Sequence, residues 1–176
     1  MVGEIPPWYG RPELGRRLGG DCLQTMEPDQ RLELTVFFCQ QLDPRQDIHR
    51  RDLERIWGGR LRLHPMHCGG RVEALHILKA LEEGSDRVLV LTCPEGRCRY
   101  REGNLRVRKR LEHARGLLEE IGMEPQRLEF RAAPAQAPRH IAEILEPILS
   151  EPFSLGASPL RHLEGAGDSC SGGIKQ

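Results

Sequence analysis

Along this chain the hydrophobic positions alternate between a strand period and a helix period. Leu34-Thr35-Val36-Phe37-Phe38-Cys39 is short, β-branched and aromatic, and closes on a polar loop, which predicts a strand. Ile48, Leu53, Ile56 and Trp57 then form a helical stripe, with Asp47 placed to cap it and Gly58-Gly59 to stop it. Leu61-Arg62-Leu63-His64 alternates as a second strand. Val72 to Gly84 follows as a helix with Ala74, Leu75, Leu78 and Leu81 on its apolar side. Arg87-Val88-Leu89-Val90-Leu91-Thr92-Cys93 is the continuous apolar run expected of a central strand buried on both faces of a parallel sheet. A long helix is predicted over about 105–121, capped by Asn104, stopped by Gly122, and turning Leu105, Leu111, Ala114, Leu117, Leu118 and Ile121 inward. Arg127 to Ala132 alternates as a fourth strand, and Arg139 to Ser150 gives a last helix through Ile141, Ile144, Leu145, Ile148 and Leu149. Repeated β-α units of this kind predict an α/β fold: one small parallel sheet of about four strands with helices on both faces, flavodoxin-like, in strand order 2-1-3-4.

The ends depart from this pattern. Residues 1–30 carry prolines and glycines with no sustained hydrophobic period and read as a flexible extension, in which Trp8 and Tyr9 are isolated aromatics. Residues 153–176 have the Gly-rich composition of a flexible tail. The folded unit is therefore expected over 31–152. Lys plus Arg (26) balances Asp plus Glu (26), which argues against a nucleic-acid partner. No apolar run reaches the roughly 20 residues a bilayer span needs. The first residues lack the features of a secretory signal, so a reducing cytoplasmic location is expected.

That location changes the meaning of the six cysteines. A disulfide framework is disfavoured, leaving a metal site, a reactive thiol or inert buried thiols. In a parallel sheet the binding crevice lies beyond the carboxyl ends of the strands. Cys39 ends the first predicted strand, Cys68 follows the second, Cys93 ends the third and Cys98 sits in the next loop. Four thiols from three loops are thus expected at one edge, a donor set suited to zinc or to an iron–sulfur cluster, and spacing alone does not separate the two. His64 and His67 are weaker candidates. Cys22 and Cys170 fall in the flexible ends and are read as non-ligands. A redox thiol is a third reading, carried by Arg97 and Arg99 beside Cys98, although no Cys-x-x-Cys pair accompanies it.

Three segments carry a resemblance. Cys68-Gly69-Gly70-Arg71-Val72, the stretch from Ile77 through Gly84-Ser85-Asp86-Arg87-Val88 to Val90, and Cys93-Pro94-Glu95-Gly96-Arg97-Cys98-Arg99-Tyr100-Arg101-Glu102-Gly103-Asn104 occur in the order seen in the delta subunit of methyl-viologen-reducing hydrogenase. The resemblance extends over roughly residues 33–150. It implies a small iron–sulfur protein, usually with a [2Fe–2S] cluster, that relays electrons between a donor oxidoreductase of hydrogenase type and a heterodisulfide-reductase-like flavoprotein, with no substrate turnover of its own. The cluster ligands it implies are Cys39, Cys68, Cys93 and Cys98. The chain departs from the family at four places: Leu42 replaces a second cysteine after the first strand, Pro94 and Arg99 replace histidines, and Arg97 replaces an aspartate. A non-redox structural or regulatory subunit with zinc or no metal at the cysteines is the alternative.

The remaining motifs fit around such a site. Arg97, Arg99, Arg101, Arg106, Arg108, Lys109, Arg110 and Arg115 face only Glu102 and Glu112 within their own segment, a basic patch suited to an acidic partner surface. Arginine in place of an acidic residue is also expected to raise a cluster's potential. Gly69-Gly70-Arg71 is read as a tight turn, Gly103-Asn104 as a turn plus helix cap, and Trp57 as core or interface surface.

Overall fold

The computed structural model describes residues 32–43, 45–135, 140–151 and 153–162. The expected N-terminal extension, Cys22 and Cys170 lie outside them. The strands are β1 (Leu34–Cys39), β2 (Leu61–Met66), β3 (Arg87–Thr92) and β4 (Leu128–Ala132). The helices are α1 (Gln46–Trp57), α2 (Ala74–Glu82), α3 (Gly103–Glu120) and α4 (Ile141–Ser150). All strand pairs are parallel and the order is β2-β1-β3-β4, the α/β sheet that the alternating pattern predicts. Pro65 lies in β2, at the edge, where a missing N–H costs the ladder least.

Alternation along the strands divides the core in two. Val36, Phe38, Leu89 and Leu91 face α1 and α4, joined by Leu53, Ile141, Ile144, Leu145 and Ile148. Phe37, Val88 and Val90 face α2 and α3, joined by Ile77, Leu81, Val107, Leu111, Ala114 and Leu118. The crossover helices thus cover both faces of the sheet, as parallel β-α-β connections require.

Helix phase and helix starts differ from the sequence expectation. In α3 the inward stripe is Val107, Leu111, Ala114 and Leu118, while Leu105 and Ile121 are exposed. A 3.6-residue period through Leu111 admits Val107 and Leu118 and turns both ends of the expected stripe outward. In α2 the buried residues are Ile77, Ala80 and Leu81, and Leu75 is 73% exposed. In α1 only Leu53 among the apolar positions is buried; Ile48 and Ile56 face out and Trp57 packs partly against the core. Asp47 lies in the first turn of α1 without capping it. Asn104 is likewise inside α3, after a Glu102 N-cap, with Oδ1 accepting from Leu105 N at 3.0 Å. α2 starts with a capping box instead: Glu73 accepts from the backbone at His76, and Glu73 N donates to His76 Nδ1 at 3.0 Å.

Residues 156–161 pack onto the same sheet. Ser158 N donates to Asp86 Oδ1 at 2.5 Å, and Arg161 pairs with Asp86 Oδ2 at 2.6 Å. Buried Arg127 donates to the carbonyls of Asp86, Gly156 and Ala157. These contacts lie at the amino ends of the strands, opposite the carboxyl edge.

Candidate functional site

The carboxyl edge gathers the cysteines. The chain passes from β1 outward to β2, then crosses back to β3 on the other side of β1, so the sheet's switch point lies between β1 and β3. Cys39 ends β1 and Cys93 immediately follows β3, and their sulfurs stand 3.3 Å apart. The register Phe38↔Leu91 sets Cys39 at the level of Thr92, one residue before Cys93, so the two sulfurs meet just past the strand ends.

The other two thiols come from the loops that flank this point. Cys68 leads into the 3₁₀ turn Gly69–Arg71, and Cys98 lies in the turn before α3, where Arg101 N donates to Cys98 O at 2.9 Å. Arg101 adopts a left-handed φ of 66° to close that turn. Both sulfurs pack against Gly103, which brings the Cys68 and Cys98 thiols close enough to interact. The sulfurs therefore stand as two pairs, Cys39 with Cys93 and Cys68 with Cys98. All four cysteines are free; Cys39, Cys68 and Cys93 are buried and Cys98 is half-exposed.

Glycines allow this approach. A β-carbon on Gly70 would come within 2.6 Å of Gly103 Cα, and one on Gly69 within 2.8 Å of Thr92 Cγ2. Gly70 thus lets the Cys68 loop lie directly against the start of α3 and Gly69 lets it lie against the end of β3, consistent with the tight turn read from the sequence.

The electrostatics of the pairs are asymmetric. A hydrogen bond from the Cys93 thiol, opposed by burial and aided by backbone N–H groups of Gln41 and Gly69, holds Cys39 down to about 6 from an ordinary 9.0. Its partner Cys93 is raised, because it is the donor to Cys39 and is buried. Burial also raises Cys68, with the N–H of Gly70 opposing. Backbone N–H groups aimed at sulfur are what stabilises thiolate charge in a buried place. Four convergent thiols with such donors form a soft, anionic donor set suited to a thiophilic metal or cluster.

The two candidate histidines are engaged elsewhere. His64 stacks on Phe37 with ring centroids 5.2 Å apart, and His67 Nδ1 lies 2.7 Å from Gln40 Oε1. The basic patch is smaller than its segment suggests, since Glu95 pairs with Arg108 and Glu73 with Arg110, in addition to Glu102 with Arg106 and Glu112 with Arg115. Arg97 and Arg99, which flank Cys98, make no carboxylate pair among the described residues; they donate to Ala135 O and Gln41 Oε1. Tyr100 beside them is 57% exposed.

Thr92 and the N–H of Gln41 are parts of the site that no sequence motif marks. Nothing in their spacing singles them out; they arrive through the strand register and the 3₁₀ turn Gln40–Leu42.

Among the described residues no helix is long and apolar enough to cross a membrane. The chain is 39% identical over 87 residues to the vhu iron-sulfur subunit of the F420-non-reducing hydrogenase of Methanopyrus kandleri, covering 49% of this chain and 66% of that protein. It is 29% identical over 102 residues to the corresponding protein of Methanocaldococcus jannaschii, covering 57% and 75%. A shorter match, 38% over 61 residues, covers 35% of this chain and 8% of a subunit of the ferredoxin:CoB-CoM heterodisulfide reductase of Methanosarcina mazei. The family model for the delta subunit of methyl-viologen-reducing hydrogenase matches residues 36–155, from β1 past the end of α4 and across all four cysteines, and the chain belongs to that family.

Proposed function

We propose that this protein is an electron-transfer subunit that holds an iron–sulfur cluster, of the [2Fe–2S] type, on Cys39, Cys68, Cys93 and Cys98. The observation that supports this most is the arrangement of the sulfurs as two pairs at the β1/β3 switch point. A binuclear cluster takes two thiolates on each iron, whereas a single zinc ion draws all four donors around one centre. The names of the hydrogenase relatives, which call them iron-sulfur subunits, point the same way.

A cluster bound there supplies a one-electron redox centre. The protein's own groups do the rest: buried Cys39 and Cys93 exclude water, the N–H donors of Gln41, Gly69 and Gly70 support sulfur charge, and half-exposed Cys98 brings the site to the surface. Arg97 and Arg99, which pair with no carboxylate among the described residues, offer a docking rim for an acidic partner surface. The partners that fit this reading are a donor oxidoreductase of hydrogenase type and a heterodisulfide-reductase-like flavoprotein, in keeping with the hydrogenase and heterodisulfide reductase named among the relatives.

The test is anaerobic purification followed by assay of iron, acid-labile sulfide and zinc, with absorption spectra and, after reduction, electron paramagnetic resonance. Equal iron and sulfide near two each per chain, lost in Cys68→Ser and Cys93→Ser, is the expected result. Stoichiometric zinc without sulfide, abolished by the same substitutions, would replace the relay by a structural metal subunit.

A further inference from the structure

We propose that Asp43, His49 and His140 form a second metal site, separate from the cysteines, for a divalent ion of the zinc class. The three residues come from different elements: the loop after β1, the first half of α1, and the N-cap of α4. Asp43 Oδ2 lies 2.6 Å from His49 Nδ1, and His49 Nδ1 lies 3.2 Å from His140 Nδ1. All three ligand atoms fall within 4.8 Å of one another.

The carboxylate is fully buried and the His49 side chain is 12% exposed. Arg45 N donates to Asp43 Oδ1 at 2.9 Å and Ile141 N to Oδ2 at 3.0 Å, so the carboxylate is oriented by outer hydrogen bonds of the kind that position metal ligands. The two imidazoles meet edge to face with centroids 4.2 Å apart, which brings both Nδ1 atoms to the same place.

Proton bookkeeping favours a cation at that point. If His49 Nδ1 carries a proton for Asp43, it faces the Nδ1 of His140 across 3.2 Å with a hydrogen already committed. A metal accepts lone pairs from both rings and the carboxylate together. With metal–ligand distances of about 2.0–2.2 Å, tetrahedral donors stand roughly 3.3 Å apart; the His49–His140 separation of 3.2 Å already matches this, and the Asp43–His49 separation of 2.6 Å would open by less than about 1 Å. Two imidazoles and one carboxylate suit zinc and leave a fourth position for water or for a partner's side chain. Such an ion would tie the start of α4 to the loop that carries Cys39.

Cysteine chemistry is not needed for this site, so the two readings fail separately. Anaerobically purified full-length protein carrying its cysteine-bound metal is dialysed against Zn²⁺, washed and assayed for zinc, iron and sulfide, with thermal unfolding followed with and without Zn²⁺. Expected is one zinc per chain and a zinc-dependent rise in unfolding temperature, with zinc affinity falling about 100-fold in His49→Ala and in His140→Ala while iron and sulfide are unchanged. His49→Gln and His140→Asn, checked by circular dichroism, serve if the alanine variants misfold. Zinc retention equal in wild type and histidine variants, or retention lost only with Cys68→Ser, would overturn the site. If the purified chain carries no iron, the same titration after thiol alkylation gives the answer.

Discussion

A side chain at Gly103, the first residue of α3, would collide with the sulfur of Cys68: a β-carbon there overlaps Cys68 Sγ and comes within 3.1 Å of Cys98 Sγ. The collision is with a ligand candidate, and the backbone N of Gly70 lies 3.4 Å from the same β-carbon, so little room is left for the new methyl to shift. Gly103→Ala is therefore expected to separate the Cys68–Cys98 pair and abolish bound iron and sulfide, at a stability cost of about 1–3 kcal/mol. Gly116, in the same helix with open space around its Cα, is the control. Gly116→Ala should retain the metal and stabilise the fold by about 0.5–1 kcal/mol. Elemental analysis and urea unfolding of both variants check this pair of outcomes.

Gly103 is legible in the sequence only as a turn, while the cysteines are legible as a site, because of what local patterns encode. Strand ends mark where a crevice forms, and order 2-1-3-4 makes β1 and β3 neighbours, so that the residues ending them, Cys39 and Cys93, fall at one place. The approach of Gly70 to Gly103 is a contact between loops 33 residues apart and leaves no periodic trace. In α3 helix phase is legible only near the centre: Leu111, Ala114 and Leu118 are buried as expected, but Leu105 and Ile121 are not, since a slip of one residue rotates a helix face by about 100°. Asp43, His49 and His140 are invisible for a related reason. The two histidines meet across 91 residues, brought together by the packing of α1 on α4.

At the amino edge, Asp86 carries more than its position before β3 suggests. Its buried carboxylate accepts from Glu33 N at 2.7 Å and Ser158 N at 2.5 Å, and pairs with Arg161. Asp86→Ala strips three partners at once and leaves two backbone donors without an acceptor. A loss of about 2–4 kcal/mol is expected. Iron and sulfide per folded chain should not change, because the cysteines are at the opposite end of the sheet. Denaturant midpoints and metal content, measured on the same preparation, test both halves.

Glu129 supplies a pH dependence. Burial pushes its carboxyl up, but the guanidinium groups of Arg87 and Arg131 more than offset this and hold it below the ordinary 4.5. A carboxyl lowered on folding adds stability that is complete above the unfolded value and is lost as pH falls below about 4.5, where the unfolded chain takes up the proton first. Glu129→Gln is expected to be less stable than wild type by about 1–2 kcal/mol at pH 7, with the gap narrowing as pH falls below 4.5. Urea midpoints of the two proteins at pH 7, 5.5 and 4 give the curve; a gap that stays constant across that range would assign the stabilisation to packing.

Arg97 and Arg99 connect the site to its surroundings. Both flank half-exposed Cys98 and neither is neutralised by a carboxylate among the described residues, so their charge acts on whatever the sulfurs hold. Positive charge stabilises the reduced form of a bound cluster, and at a separation of about 8 Å with an effective dielectric constant of about 20 one charge is worth roughly 2 kcal/mol, or on the order of tens of millivolts after screening. Arg97→Asp reverses the sign and should lower the midpoint potential in a redox titration. Arg99→Glu should act in the same direction and also slow association with an acidic partner, an effect that fades at high salt because it operates through long-range steering. The two readouts separate two roles. A potential that shifts without any change in salt-dependent association would make the arginines tuning groups alone, whereas slower association at constant potential would make them docking groups whose charge does not reach the sulfurs.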